Sequence, residues 1–115
     1  MIIGIGTDLL EIERLKKGSH KNLVKRILTD KEIEIYDGYK NEKRKIQFLA
    51  GRFAAKEAYS KALGTGIGLI TFKDIEVLND ACGKPYIQIE NDTRIHLSIT
   101  HTDNYAQAFV VLENK

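Results

Sequence analysis

The sequence has no Trp, one Pro, one Cys and one Met in 115 residues, and these scarcities exclude several classes of protein. Cys82 stands alone, so no intrachain disulfide can form and a zinc site built on thiolates is not expected. Apolar runs are short and interrupted, well below the roughly 20 residues that a membrane-spanning helix needs, so no membrane role is expected. Met1-Ile2-Ile3 carries no leading basic stretch, and Asp8 comes too early for the apolar centre of a secretion signal, which makes a cytoplasmic location the expectation. A large excess of one charge is also missing: 18 Lys and Arg face 16 Asp and Glu, and 43% of the chain is hydrophobic, which argues against disorder.

The length suits one domain over residues 1–115, with a core small enough that an oligomer interface could supplement it. The net charge of +2 hides an asymmetry. Arg14, Lys16, Lys17, Lys21, Lys25 and Arg26 fall in a stretch with no Asp or Glu, so that segment carries +6 and the remainder −4. Such a patch favours salt-sensitive encounter with an anionic partner, while a solvated helix face is the plainer explanation. It contains no interleaved aromatics for stacking on single-stranded bases, and nucleic acid is not the expected partner.

Residues 2–7 read as a strand whose alternation puts Ile3, Ile5 and Thr7 on one face and Gly4, Gly6 and Asp8 on the other. The glycine face lacks bulk, so another element or a ligand can approach it closely. Helical character runs from Glu11 to Lys17 and stops near Gly18-Ser19; a second helix spans about Lys21 to Leu28. Thr29-Asp30-Lys31-Glu32 has the spacing of a capping box and starts a short helix that ends near Asp37-Gly38. The clearest element is a helix from about Asn41 to Leu63, free of Pro and stopped by Gly64. Ile46, Leu49, Ala50 and Phe53 form its apolar stripe, and at about 100° per residue Glu57 and Lys61 continue the same line. Charged groups on a core-facing line are not expected to be merely solvated. Beyond Gly64-Thr65-Gly66-Ile67-Gly68 the pattern turns to strands: Ile75 to Leu78, Tyr86 to Ile89, Ile95 to Thr100 and Tyr105 to Leu112. The expected class is α+β, a mostly antiparallel sheet packed against one long helix.

Neither glycine-rich stretch is a nucleotide fingerprint. Gly4-Ile5-Gly6 has Leu9 where a third Gly belongs, and residues 64–68 follow a helix instead of preceding one. Asp8 and Glu57 form the sharper pair: two hard oxygen ligands completed by water and substrate phosphate suit Mg²⁺, and Lys61 could reach the same phosphate. Separate structural ion pairs remain the alternative, because spacing cannot bring residues 8 and 57 together. His101, at the end of a strand, could be a base or a phosphate contact; His20 and His96 have no supporting neighbours. A binding module that holds an acidic protein on residues 14–26, and a metal-dependent nuclease, stay open on these features alone.

Taken together, the motifs resemble the holo-(acyl-carrier-protein) synthases, the small bacterial type within the 4′-phosphopantetheinyl transferase superfamily. Gly4-Ile5-Gly6-Thr7-Asp8 with Glu11-Ile12-Glu13-Arg14 is similar to the family's first signature, and Arg26-Ile27-Leu28-Thr29 with Glu32 fits the next. The most specific likeness is Phe53-Ala54-Ala55-Lys56-Glu57-Ala58-Tyr59-Ser60-Lys61-Ala62-Leu63-Gly64-Thr65-Gly66. Gly83-Lys84-Pro85 and Ser98-Ile99-Thr100-His101 with Tyr105-Ala106 resemble the C-terminal signatures, so the likeness spans nearly the whole chain. It implies transfer of the 4′-phosphopantetheine arm of coenzyme A to a serine of apo-acyl-carrier protein, with release of adenosine 3′,5′-bisphosphate, in the service of fatty acid biosynthesis. It also implies Mg²⁺ and a homotrimer with active sites between subunits. Asp8 and Glu57 would hold the metal and Lys61 the pyrophosphate, with Glu57 also a candidate base; Ser60, Gly64 and Thr65 would line the nucleotide cleft. Pro85, His101 and Thr102 would approach from a neighbouring subunit, and Arg14, Lys21, Lys25 and Arg26 would dock the acidic carrier.

Overall fold

The computed structural model describes residues 1–16, 20–65, 70–89 and 93–115. The first strand, β1, runs from Ile2 to Glu11, further than the alternation alone suggests, because its ladder with the last strand continues to the pair Glu11–Tyr105. Three helices follow: α1 (Ile12–Lys16), α2 (His20–Ile27) and α3 (Asp30–Gly38). The expected stop at Gly18-Ser19 lies outside the described residues, as does the side chain of His20. At the start of α3 the capping box forms as anticipated: the Thr29 hydroxyl accepts from the Glu32 amide at 3.3 Å, and the Glu32 carboxylate accepts from the Thr29 amide at 2.8 Å.

The long helix α4 spans Glu42–Leu63. Asn41 caps it by accepting from the amides of Lys43 and Arg44, and Gly64 closes it at φ +81°, where its N–H donates to the Lys61 carbonyl. After a 3₁₀ turn at Phe72–Asp74 come β2 (Glu76–Asn79), β3 (Pro85–Gln88), β4 (Thr93–His101) and β5 (Tyr105–Asn114). The ladders among the described strands are antiparallel: a three-stranded sheet in the order β1-β5-β4, and a separate ladder of β2 with β3. The α+β class with one long helix is therefore observed. Residues 66–68 of the glycine-rich segment lie outside the described residues.

The sheet and α4 meet on the side that the isoleucines of β1 do not occupy. Gly4 and Gly6 face the helix so closely that a β-carbon on Gly4 would collide with the Ala62 carbonyl, and one on Gly6 with the Ala58 carbonyl. Ile3, Ile5 and Leu9 consequently point outward and are exposed, as is Phe109 on the neighbouring strand. The stripe on α4 is broader than the spacing indicated. Ile46, Leu49 and Ala50 are buried and Phe53 partly so, but Ala54, Ala55, Ala58, Tyr59 and Ala62 are also covered, because α4 lies between the sheet and the small helices. The placement of Lys61 on the core line is corrected: it is exposed, and in that turn it is Ala62 that packs beneath β1 while Lys61 reaches along the strand's edge to Thr7 and Asp8.

Candidate functional site

The close approach at Gly4 and Gly6 decides what happens next along β1. Asp8, on the same face, comes opposite the last turns of α4. There the Lys61 ammonium donates to Asp8 Oδ1 at 3.1 Å and to the Thr7 carbonyl at 3.0 Å; the Lys61 side chain is 53% exposed and that of Asp8 17%. Glu57 lies one helical turn back and is half-buried. Burial is the main cause that raises its pKa above the ordinary carboxylate value, the negative charge of Asp8 adds to this, and Lys61 opposes both. The negative charge of Asp8 beside the half-buried Glu57 carboxylate, with one ammonium nearby, forms a place where a cation would be stabilised. Among the described residues no group of three or more His, Cys, Asp or Glu could hold a metal. Two carboxylate donors are what suits a hard ion that fills its other positions with water or phosphate, the habit of Mg²⁺.

Ser60 lies on the inner side of the same turn as Lys61. Within the chain it is 1% exposed, and its hydroxyl donates to the Glu57 carbonyl at 2.8 Å. Gly64 caps the helix beside exposed Thr65.

Pro85 and His101 gather elsewhere. With Arg44, Phe48, Arg52 and Asn79 they line a cavity of about 290 Å³. Arg52 donates from Nη2 to Asn79 Oδ1 at 2.5 Å and stacks 4.3 Å from the centre of the Phe48 ring, while its Nε is buried without a hydrogen-bond partner. Burial is the largest influence on Arg52 and lowers its pKa; the charge of Glu32 opposes it. Two guanidinium groups and an imidazole around one cavity can receive an anionic group such as a phosphate. Thr102 sits just outside, in the β4–β5 turn, where its hydroxyl accepts from the amides of Asn104 and Tyr105. Arg44 and Arg52 were not singled out in the sequence. Their signal was present, two arginines two turns apart on one helix face, but it could not be read without the hairpin that closes over them.

The two groups lie on different sides of α4. At about 100° per residue, Arg52 and Lys61 project about 180° apart around α4. Arg14, Lys21, Lys25 and Arg26 are all exposed, on α1 and α2, as a docking face requires; Lys17 lies outside the described residues. His96 has a neighbour after all, Glu113, at 3.1 Å. Cys82 is exposed in the turn between β2 and β3. No described helix is long and apolar enough to cross a membrane.

Comparison with known proteins gives consistent matches. Residues 4–110 match the model of the 4′-phosphopantetheinyl transferase superfamily. A holo-[acyl-carrier-protein] synthase of Staphylococcus haemolyticus is 55% identical over 119 residues, covering 100% of this chain and 99% of the relative. Among solved structures, a holo-(acyl-carrier-protein) synthase of Bacillus anthracis in complex with CoA (3′,5′-ADP) superposes with a TM-score of 0.94 at 49% identity, covering 100% of this chain and 99% of that one. The enzyme of Neisseria meningitidis follows at a TM-score of 0.87 and 36% identity, covering 99% of this chain and 100% of that one.

Proposed function

The chain belongs to the 4′-phosphopantetheinyl transferase superfamily, among the holo-[acyl-carrier-protein] synthases, and we propose that it transfers the 4′-phosphopantetheine arm of coenzyme A to a serine of apo-acyl-carrier protein. The observation that carries this reading is the convergence of Asp8, Glu57 and Lys61 at the seam between β1 and α4. The serine hydroxyl attacks the phosphorus that bears the pantetheine arm. The bond from that phosphorus to the bridging oxygen breaks, and adenosine 3′,5′-bisphosphate leaves. Asp8 and Glu57 would hold Mg²⁺, which when bound offsets negative charge on the diphosphate. Lys61, exposed and held by Asp8, presents its ammonium to the same diphosphate. Glu57, at the same seam, accepts the proton lost by serine, directly or through a water.

The second cavity supplies the nucleotide half. Arg44, Arg52 and His101 would receive its phosphate, with Pro85 as an apolar wall and Thr102 at the rim. Because the two half-sites look in opposite directions from α4, a complete site needs Asp8, Glu57 and Lys61 from one chain and the cavity from another. The outward face of the sheet offers an apolar surface for that assembly: Ile5 is 62% exposed, Leu9 64% and Phe109 46%. A closed ring of three subunits joins each half-site to its complement. A place in fatty acid biosynthesis follows from the carrier substrate.

The decisive assay mixes the protein with coenzyme A, Mg²⁺ and an apo-carrier. The carrier should gain the mass of one phosphopantetheine arm, with adenosine 3′,5′-bisphosphate released in equal amount, and a carrier lacking the serine should gain nothing. A carrier that binds but stays unmodified would leave only a binding module. The exposed basic face makes a separate prediction. Arg14→Glu should raise KM for the carrier about tenfold and leave KM for coenzyme A within about twofold, because the charge reversal acts on encounter with the acidic partner. A parallel rise in both constants would refute docking at this face.

A further inference from the structure

Next to Glu57 in the chain is a charged group that the reaction does not use. Lys56 is completely buried, and its ammonium donates to three acceptors from three segments: the Ile27 carbonyl at 2.5 Å, Glu32 Oε1 at 2.6 Å and the Phe72 carbonyl at 3.0 Å. Glu32, equally buried, accepts in turn from the Thr29 amide at 2.8 Å and from the Val77 amide at 2.8 Å. The Thr29 hydroxyl donates to Glu76 Oε2 at 2.6 Å. All three ammonium protons and both carboxylate oxygens are occupied, which is the condition under which a buried pair persists.

The position of Ile27 gives this network a direction. It is the last residue of α2, so its carbonyl is one that no later turn of the helix can satisfy. Lys56 places a positive charge at that negative helix end, and Glu32 pins the first residues of α3 beside it. The reversal between α2 and α3 is thus tied to α4 one residue before Glu57. The helix tied in this way carries Lys21, Lys25 and Arg26. Overall stability alone does not call for such a pair, since an apolar residue of similar volume can pack as well or better than buried charges. What an apolar residue cannot supply is a fixed direction.

We propose that Lys56 is a positioning residue for the carrier-binding step, holding the basic helix α2 in a set pose relative to the carboxylate of Glu57. The inference rests on the docking role given above to α2. It predicts that Lys56→Met raises KM for the carrier about tenfold, while KM for coenzyme A and kcat at saturating carrier stay within about twofold. Glu32→Gln serves as the contrast. It removes the ion pair but leaves Lys56 its two carbonyls, so it should lower Tm and leave KM for the carrier within about twofold.

Lys25→Glu separates this idea from the docking role itself. If Lys25→Glu leaves KM for the carrier unchanged, docking on α2 fails and the proposal goes with it. If Lys25→Glu raises that constant and Lys56→Met does not, positioning alone is overturned. Equal rises for Lys56→Met and Glu32→Gln would reduce Lys56 to a general stabiliser and also overturn it. Should Lys56→Met not fold, amide hydrogen exchange of the unmodified protein decides. The amides of α2 should open together with those of α4, whereas α2 opening independently at far lower protection would contradict the tie.

Discussion

Glu57→Gln should lower the rate of transfer about a thousandfold, the scale expected when a group that both neutralises charge and accepts a proton is lost. The substitution keeps shape and helix propensity, so the loss should not come from unfolding. The sign of the electrostatics supports this. In the folded chain the Glu57 pKa is raised, chiefly by burial and then by Asp8, so the folded state binds its proton more tightly than the unfolded state does. Without metal, stability therefore falls as pH rises from the unfolded pKa through the folded one, and at neutral pH the ionised carboxylate is a burden that Gln removes. Tm of the metal-free variant at neutral pH should equal or exceed that of the parent.

Mg²⁺ should reverse the comparison, raising Tm of the parent above that pH window, less so below it, and not raising Tm of Glu57→Gln. Unchanged turnover in Glu57→Gln would remove the carboxylate from the mechanism. The same variant tests whether sites are shared. Chains carrying Glu57→Gln, mixed and reassembled with chains carrying Arg44→Ala and His101→Ala, should recover activity, because some sites then draw an intact half from each kind. Proven co-assembly without recovery would place both halves of a site in one chain.

Gly6→Val should be the most damaging change to the fold. Even a single β-carbon at Gly6 would lie within 2.7 Å of the Ala62 amide nitrogen and closer still to the Ala58 carbonyl oxygen, both of them backbone atoms that cannot swing aside. β1 would have to lift from α4 along the seam that seats Asp8. A cost of about 3 kcal/mol is reasonable for such overpacking, which in a domain of this size lowers Tm by about 10 °C. Protein that remains folded should also lose transfer activity, since Asp8 is displaced from Glu57. Gly38→Ala is the control: nothing lies within 4 Å of a β-carbon there, and its effect should stay within about 0.5 kcal/mol. Equal melting temperatures for Gly6→Val and Gly38→Ala would disprove the close-packed seam.

The glycines show why only part of this protein was legible beforehand. That Gly4, Gly6 and Asp8 share a face is a consequence of the two-residue period of any strand, and so was readable. That this face is the buried one, with the isoleucines outside, depends on the carbonyls of Ala58 and Ala62 meeting it, and no local pattern contains that contact. Lys56 was hidden for a similar reason: a lysine among alanines on a helix looks like any other until the Ile27 and Phe72 carbonyls and Glu32 converge on it.

By itself, then, the sequence determined what is local. The helix from its Asn41 cap to its Gly64 stop, the box at Thr29 and Glu32, and the alternation along the strands are settled by interactions over one turn or one pleat. The motifs carrying the family likeness are equally local strings. Only the tertiary structure decided that β1 pairs with the last strand, that Asp8 meets Glu57 and Lys61, and that Arg44, Arg52 and His101 gather on the opposite side of the same helix. Those juxtapositions join residues far apart in the chain, and they are set by how whole faces pack rather than by the preference of any one segment.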